Sequence, residues 1–396
     1  MGVEPFFERR AQTRFAPVPA SAVAAGDSVL VASSWRSWAE GEAIARWDGL
    51  ALAATEPNPF FESWYLLPAL RRFDRAGKVE ILRLERGGEL VGLMPVERSW
   101  RYQRWPLPHL RTWLHANCFA AAPLVRKGME RAFWAAFLAW ADAEAGPALF
   151  AHLPQMPIDG DLAAALRVEA AAQGRRLELV HREERALLDS DLAPAEYLEQ
   201  AVRAKKRKEL RRLQARLSDE GMVKVERVND ERCLATWTDH FLALEKSGWK
   251  GKAGSALASC DATAGLFRDA LRGAAERGRL ERLSLLLNGR PIAMLANFVV
   301  PPGAYAYKTT FDERYARFSP GVLLQLDNLA LLDHPEVAWC DSCAAPDHPM
   351  IDGLWTERRA VGRYSVAIGG AARRAAFDRL VEAELSRHPK GINRQD

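Results

Sequence analysis

Cysteine is scarce in this 396-residue chain: five residues, at positions 118, 233, 260, 340 and 343, an odd number scattered widely. A disulfide framework needs paired cysteines at close spacing, so a reducing compartment, the cytoplasm, is the expectation. No apolar run approaches the roughly 20 residues needed to cross a bilayer. The opening "MGVEPFFERR" has acidic residues and no apolar signal core, and Phe6 stands where a myristoylation motif wants Ser or Thr. Charge of one sign is also missing, since the net value is only +4. A dedicated nucleic-acid binder more often carries its excess charge widely. There is no Walker loop, no G-x-G-x-x-G and no G-x-S-x-G, which removes the usual signals for nucleotide binding and covalent serine chemistry. Cys340-Asp-Ser-Cys343 is a lone CxxC with no second pair at finger spacing, so no metal is expected.

What is present is an ordinary globular composition, 48% hydrophobic and 27% charged, in a chain long enough for two domains. Residues 1–45 mix Pro, Ala and Ser without sustained period and read as a leader strand or a loose arm. From Trp47 helical and strand patterns alternate. "FFESWYLLPALRRF" is helical, "VEILRLERGGELVGLMPVE" is a hairpin turning at Gly87-Gly88, and "ERAFWAAFLAWADAEAG" is a helix closed by Gly146. The second half repeats that order. "LFRDALRGAAERG" is helical, "LERLSLLLNGRPIAMLANFVV" is a hairpin turning at Asn288-Gly289, and "GAYAYKTTF" is a further strand. In "SPGVLLQLDNLALLD" a helix starts with Ser319 as N-cap and Pro320 at its first position. "EVAWCDSC" reads as the last strand. The two hairpins superpose in sequence at an offset of 201: Glu80 on Glu281, Leu82 on Leu283, Leu84 on Leu285, Gly88 on Gly289, Val91 on Ile292. The expected class is α/β (α+β), with two similar domains at 46–190 and 191–375 and a C-terminal helix or tail at 376–396.

The stretch "VRAKKRKELRRLQARL" sets eight Lys or Arg around a single Glu. At 100° per residue, Leu198, Val202, Leu210, Leu213 and Leu217 share one stripe, which predicts one amphipathic helix over 195–219. Most of its charge is then solvated. Lys206 falls within the stripe and must either snorkel out or meet an anion. The helix lacks interleaved aromatics for base stacking.

Two segments carry candidate chemistry. "EKSGWKGKAGSAL" is glycine-rich and holds Trp249, Lys250 and Lys252, which suits a lid or acceptor contacts; a plain surface loop is the alternative. "DSCAAPDHPM" follows a strand and offers His348, with Asp341 and Asp347, as a base for taking a proton from a nucleophile; a surface histidine is the alternative. A third feature is the helix start at Ser319-Pro320-Gly321, beside Arg314 and Arg317. Its unpaired amides and positive dipole end suit a pyrophosphate.

A helix, an antiparallel hairpin, a third strand and a helix with glycine near its start is the order of a GNAT acyltransferase core. The chain resembles two-domain GNAT proteins, including Fem-type aminoacyl transferases and CelD-like proteins of exopolysaccharide loci. The resemblance rests on "NPFFESWYLLPAL", "KKRKELRRLQARL", "FLALEKSGWKGKAGSAL", "NGRPIA", "YKTTFDERYARFSPGVLL" and "DSCAAPDHPMIDGLW". It implies tandem domains with mostly antiparallel, splayed sheets flanked by helices. It also implies an acyl-CoA donor, acetyl-CoA first, lying over Tyr307, Lys308 and Thr309 with its pyrophosphate at Ser319, Pro320, Gly321 and Arg317. The usual acyl-CoA loop, (Gln/Arg)-x-x-G-x-(Gly/Ala), appears only as "RFSPGVL". Lys206, Trp249, Lys250 and Lys252 are the expected substrate contacts, with a small-molecule or saccharide acceptor. The Fem branch implies aminoacyl-tRNA as donor instead, and a non-catalytic scaffold is the reading from another class.

Overall fold

Gly88 and Gly289 turn their hairpins with φ of 82° and 76°, in the left-handed region that favours glycine. The strands Glu80–Arg86 and Glu89–Ser99 form the first hairpin, Leu280–Leu287 and Arg290–Val300 the second. Their registers match at the same offset, with Glu80 opposite Val96 and Glu281 opposite Asn297. Both ladders slip at the equivalent place, after Leu84 and after Leu285. A shared bulge position is a structural agreement that hydrophobic alternation alone does not produce.

The computed structural model describes residues 21–25 and 27–387, which fall into two units. One comprises the residues up to Glu184 together with those from Ala360 onward; the other is Arg185–Arg359. In the N-terminal unit the strand Ser28–Ser34 pairs antiparallel with Glu80–Arg86, followed by Glu89–Ser99, His109–Thr112 and Phe150–Pro157. Residues 361–367 then pair with Phe150–Pro157. In the stretch read as a leader strand or loose arm, Ser28–Ser34 is a sheet strand and Glu42–Leu52 is a helix, while residues 1–20 lie outside the described residues. The segment from Ala360, read as part of the second domain, groups with the first. The core behind this sheet is the helix Glu130–Glu144, which buries Phe133, Trp134, Phe137 and Trp140.

In the C-terminal unit the order is Leu187–Leu188, Trp339–Asp341, Gly303–Phe311, Arg290–Val300, Leu280–Leu287, Val223–Val228. All these pairs are antiparallel except Gly303–Tyr305 with Trp339–Asp341. Helices Leu234–Ser247 and Asp261–Ala275 supply Phe241 and Phe267; Phe241 packs tilted against Phe267, which stacks on Tyr307 of the sheet, itself stacked on Phe298. A second cluster joins Leu210, Leu217, Leu285, Leu323, Leu324 and Trp355. Burying each such leucine contributes roughly 1.5–3 kcal/mol.

The basic segment is two helices, Pro194–Ala201 and Ala204–Asp219, rather than one. Val202 between them is extended, at φ −104° and ψ 122°, and its side chain is buried. The Arg207 guanidinium donates to the Glu199 and Val202 carbonyls at 2.6 Å each, satisfying acceptors that the break exposes.

Candidate functional site

Pairing between Gly303–Phe311 and Trp339–Asp341 lasts three residues and ends at Tyr305 opposite Asp341. Beyond it each strand follows its other neighbour: Thr309 and Thr310 stay with Leu295 and Met294, while the Ser342 amide donates to the Ala186 carbonyl. The result is a wedge. On its first wall Ala296 faces Lys308 and Asn297 faces Ala306, so Tyr307 is one extra residue in the ladder. Bulges re-aim side chains. Here Tyr307 stacks on Phe298 at 4.4 Å and the Lys308 ammonium stands 5.6 Å from the Tyr307 ring. Thr309 accepts a long bond from Gln325 at 3.5 Å.

Lys308 has markedly altered chemistry in this wedge. Burial, then the neighbouring Lys250 charge, pull its ammonium down to about 8, with Glu245 and Cys343 opposing. Lys250 is itself fixed, donating to Glu245 Oε1 at 2.9 Å, while Glu245 Oε2 accepts the Leu257 amide at 2.7 Å. His348 completes the group. Burial lowers its pKa, Asp352 partly offsets this, and Lys250 lowers it further. Its Nδ1 is buried with no hydrogen-bond partner. The imidazole is therefore neutral at pH 7 with a ring nitrogen to spare. Burial also raises the Cys343 thiol well above its ordinary value, so it stays protonated.

The helix Pro320–Asn328, expected to receive a pyrophosphate, begins differently from expectation. Ser319 sits at the N-cap position but in the left-handed region, φ 51° and ψ 52°, and its side chain caps nothing. Its carbonyl accepts the Val322 and Leu323 amides, and Pro320 has no N–H, so the Gly321 amide is the first-turn donor left. A side chain at Gly321 would approach the Met350 sulfur to 2.9 Å, which places the His348-bearing loop directly over this helix start. Met350 is a flexible cover that can swing aside. The flanking cations are paired: Arg314 with Asp312 at 2.5 Å and Arg317 with Glu220 at 2.8 Å.

Other candidates fall elsewhere. Asp341 is fully buried and accepts from Arg185 at 2.7 Å, Arg359 at 3.1 Å and the Cys343 amide at 2.9 Å. Burial would raise its pKa, but the two guanidiniums hold it below the usual carboxylate range. It pins the wedge and is too well satisfied to take a proton. Asp347 is exposed, in the left-handed region at φ 55°. Lys206 pairs with Glu209 on its own helix at 3.4 Å and meets no site anion. Trp249 is exposed, and Trp249–Lys252 is a helical turn rather than an open loop, with Lys252 held by Glu313 at 2.8 Å. Glu245 and Met350 were missed in sequence, because neither carries a local signal.

Residues 204–347 match the family described as an acetyltransferase (GNAT) domain. No curated protein matches the chain. Among solved structures, FemX is similar over 86% of this chain and 98% of its own, with 11% identity and a TM-score of 0.53. A conserved protein of unknown function from Bacteroides thetaiotaomicron is similar over 82% of this chain and 97% of its own, at 10% identity and 0.51. A tandem GNAT protein from the clavulanic acid biosynthesis pathway covers 89% of this chain and 99% of its own, at 17% identity and 0.42. The chain thus has a GNAT-like fold, and residues 204–347 within its C-terminal unit match a GNAT acetyltransferase domain.

Proposed function

We propose that the C-terminal unit transfers an acyl group, acetyl first, from acyl-CoA to an amine or hydroxyl by direct attack. The observation that carries this is the wedge. It sets a neutral imidazole and a half-buried ammonium, both within the field of Lys250, at the open ends of two splayed strands, beside a helix start with a free amide. Arg317, Ser319, Pro320 and Gly321 would hold the donor's pyrophosphate, with Tyr307 and Thr309 along the arm leading inward. The Arg317–Glu220 pair is exposed on both sides, and such pairs contribute at most about 1 kcal/mol. A phosphate can therefore replace Glu220 at little cost.

His348 takes the proton from the attacking nitrogen or oxygen as its bond to the acyl carbon forms. The Lys308 ammonium faces the oxygen on which negative charge develops, in a site where burial strengthens the attraction. Burial keeps His348 neutral and ready to accept, and Lys250, braced by Glu245, adds to this. The C–S bond then breaks, and His348 returns its proton to the departing thiolate. Asp347 and Lys252 at the rim are the proposed acceptor contacts. A saccharide acceptor, as the CelD-like resemblance implies, belongs to this reading.

A second reading has one specific observation behind it. Lys205, Lys208, Arg211, Arg212 and Arg216 are all exposed on the helix Ala204–Asp219, whose C-terminal Glu220 touches the donor loop through Arg317. An aminoacyl-tRNA acceptor stem could run along that face. Thermal-shift titration separates the readings. Acyl-CoA and free CoA should raise the melting temperature of the full chain by mass action, with modest salt dependence. A tRNA-driven shift that collapses between 50 and 200 mM salt, with none from CoA, would favour the second reading.

A further inference from the structure

The N-terminal unit contains a cavity of about 640 Å³ that the acyltransfer reading does not use. One side is the turn from Tyr102 to Leu107; the other is one face of the helix Ala371–Arg387, with Phe377, Leu380, Val381 and Glu384. Phe150 and Ser365 form the floor. Every lining residue belongs to this unit, so the site is built by residues that fold together. Its volume lies within the roughly 300–1,000 Å³ of small-molecule sites.

The floor is aromatic and uncharged although it is backed by two histidines. His109 stacks on Phe150 at 5.3 Å, and Tyr102 meets Phe150 and His152 edge-on at 5.1 Å. Burial drives His152 down to about 3 and lowers His109 as well. The Ser365 hydroxyl shares a 3.0 Å hydrogen bond with His152 Nδ1. So weak a base cannot activate that hydroxyl as a nucleophile, and the pair offers polarity without chemistry. The mouth differs. Glu384 accepts from Tyr102 at 2.9 Å and from Gln103 at 3.2 Å, and Arg104 lies 5.3 Å from the ring of half-exposed Trp105. Charges of both signs at the mouth, over a floor that excludes ions, do not suit a polyphosphate.

We infer that this cavity binds a small amphipathic molecule with an aromatic or aliphatic body on Phe150 and a neutral or zwitterionic head between Arg104 and Glu384. It is a binding site separate from the acyltransfer wedge.

The test uses the full chain and N-phenyl-1-naphthylamine, an uncharged probe that fluoresces in apolar surroundings. The wild type should give a saturable signal. Leu380→Trp, which fills the cavity from the helix, should weaken binding at least tenfold while leaving the thermal transition in place. If that variant does not fold, Ala383→Trp at the mouth makes the same test. A signal that is not saturable, or equal affinity in the wild type and a folded filling variant, overturns the inference.

Discussion

The two units contain the same wedge and treat it in opposite ways. In the N-terminal unit, parallel pairing of Leu110–Arg111 with Ala151–His152 also stops after a few residues. Trp113 stays with the hairpin through Pro95, and Phe150–Pro157 follows residues 361–367. There the gap is filled. The Ala121 amide donates to the Gln155 carbonyl, and fully buried Asn58 donates to Ala120 at 3.3 Å and Ala122 at 2.8 Å. The Tyr65 hydroxyl secures the Asn117 carbonyl at 2.5 Å. The C-terminal wedge instead holds Lys308, Lys250, Cys343 and His348. One copy of the scaffold has turned the splay into core, and the other has kept it for titratable side chains.

The largest expected effect tests the unfilled wedge. His348→Ala should lower turnover by about 10²–10⁴ while sparing donor affinity, as for loss of a general base. The wild-type rate should follow a bell in pH. It rises as His348 loses its proton, below the ordinary histidine range because burial and Lys250 lower it. It falls as the Lys308 ammonium deprotonates near 8. A His348→Ala profile that keeps its acidic limb would remove His348 from the role of base.

Lys308 and Asn58 sharpen the contrast by dissociating rate from stability. Lys308 moves from 10.5 to about 8 on folding, so the folded state releases a proton between those values. Because the folded value is the lower, this lysine costs stability below pH 8, and the cost fades as pH rises toward 10.5. Lys308→Met should therefore raise the melting temperature at pH 7 by about 2–6 °C, while lowering turnover by about 10²–10³ through loss of charge stabilisation. Asn58→Ala should do the reverse. Removing its two donated hydrogen bonds and the one its Oδ1 accepts from the Phe60 amide costs about 2–4 kcal/mol, yet the rate per folded molecule should be unchanged. Calorimetry and turnover on the same samples check both; a Lys308→Met enzyme that is less stable than wild type would contradict the buried-charge account.

These contrasts mark where sequence reading stops. The hairpins were legible because period-two alternation and turn glycines are local, and the offset of 201 carried the second hairpin from the first. His348, Lys250 and Lys308 were each singled out on separate grounds, and folding brings their charges within range of one another. Their organiser, Glu245, was not legible: a carboxylate after an apolar run looks like any helix surface, and only tertiary packing buries it. The filling of the N-terminal wedge was equally hidden, since "WLHANCFAAAP" has no period that says which gap it enters. Local pattern also failed at Val202, where burying the side chain and satisfying carbonyls through Arg207 outweighed helix continuity. Ser319 looked like a cap, but its left-handed backbone turns the hydroxyl away from the first-turn amides.

The smallest effect concerns the edge of the site, where the two units have no counterpart to compare. Arg317 and Glu220 are 2.8 Å apart, with side chains 66% and 42% exposed. If a donor pyrophosphate uses Arg317, Glu220 competes for the same guanidinium, and Glu220→Gln should tighten CoA binding by about two- to fivefold. Arg317→Gln should weaken it by a similar factor. Both changes should shrink as salt is raised toward 0.5 M, because the charges are exposed and screened. Lys206→Met, on the same helix but paired only with Glu209, should leave CoA binding unaltered. Thermal-shift titrations at two ionic strengths read all three. Opposite signs for Glu220→Gln and Arg317→Gln, both fading with salt, would place the pyrophosphate at Arg317. Identical affinities in all three variants would move it off this loop and leave the Gly321 amide without a ligand to hold.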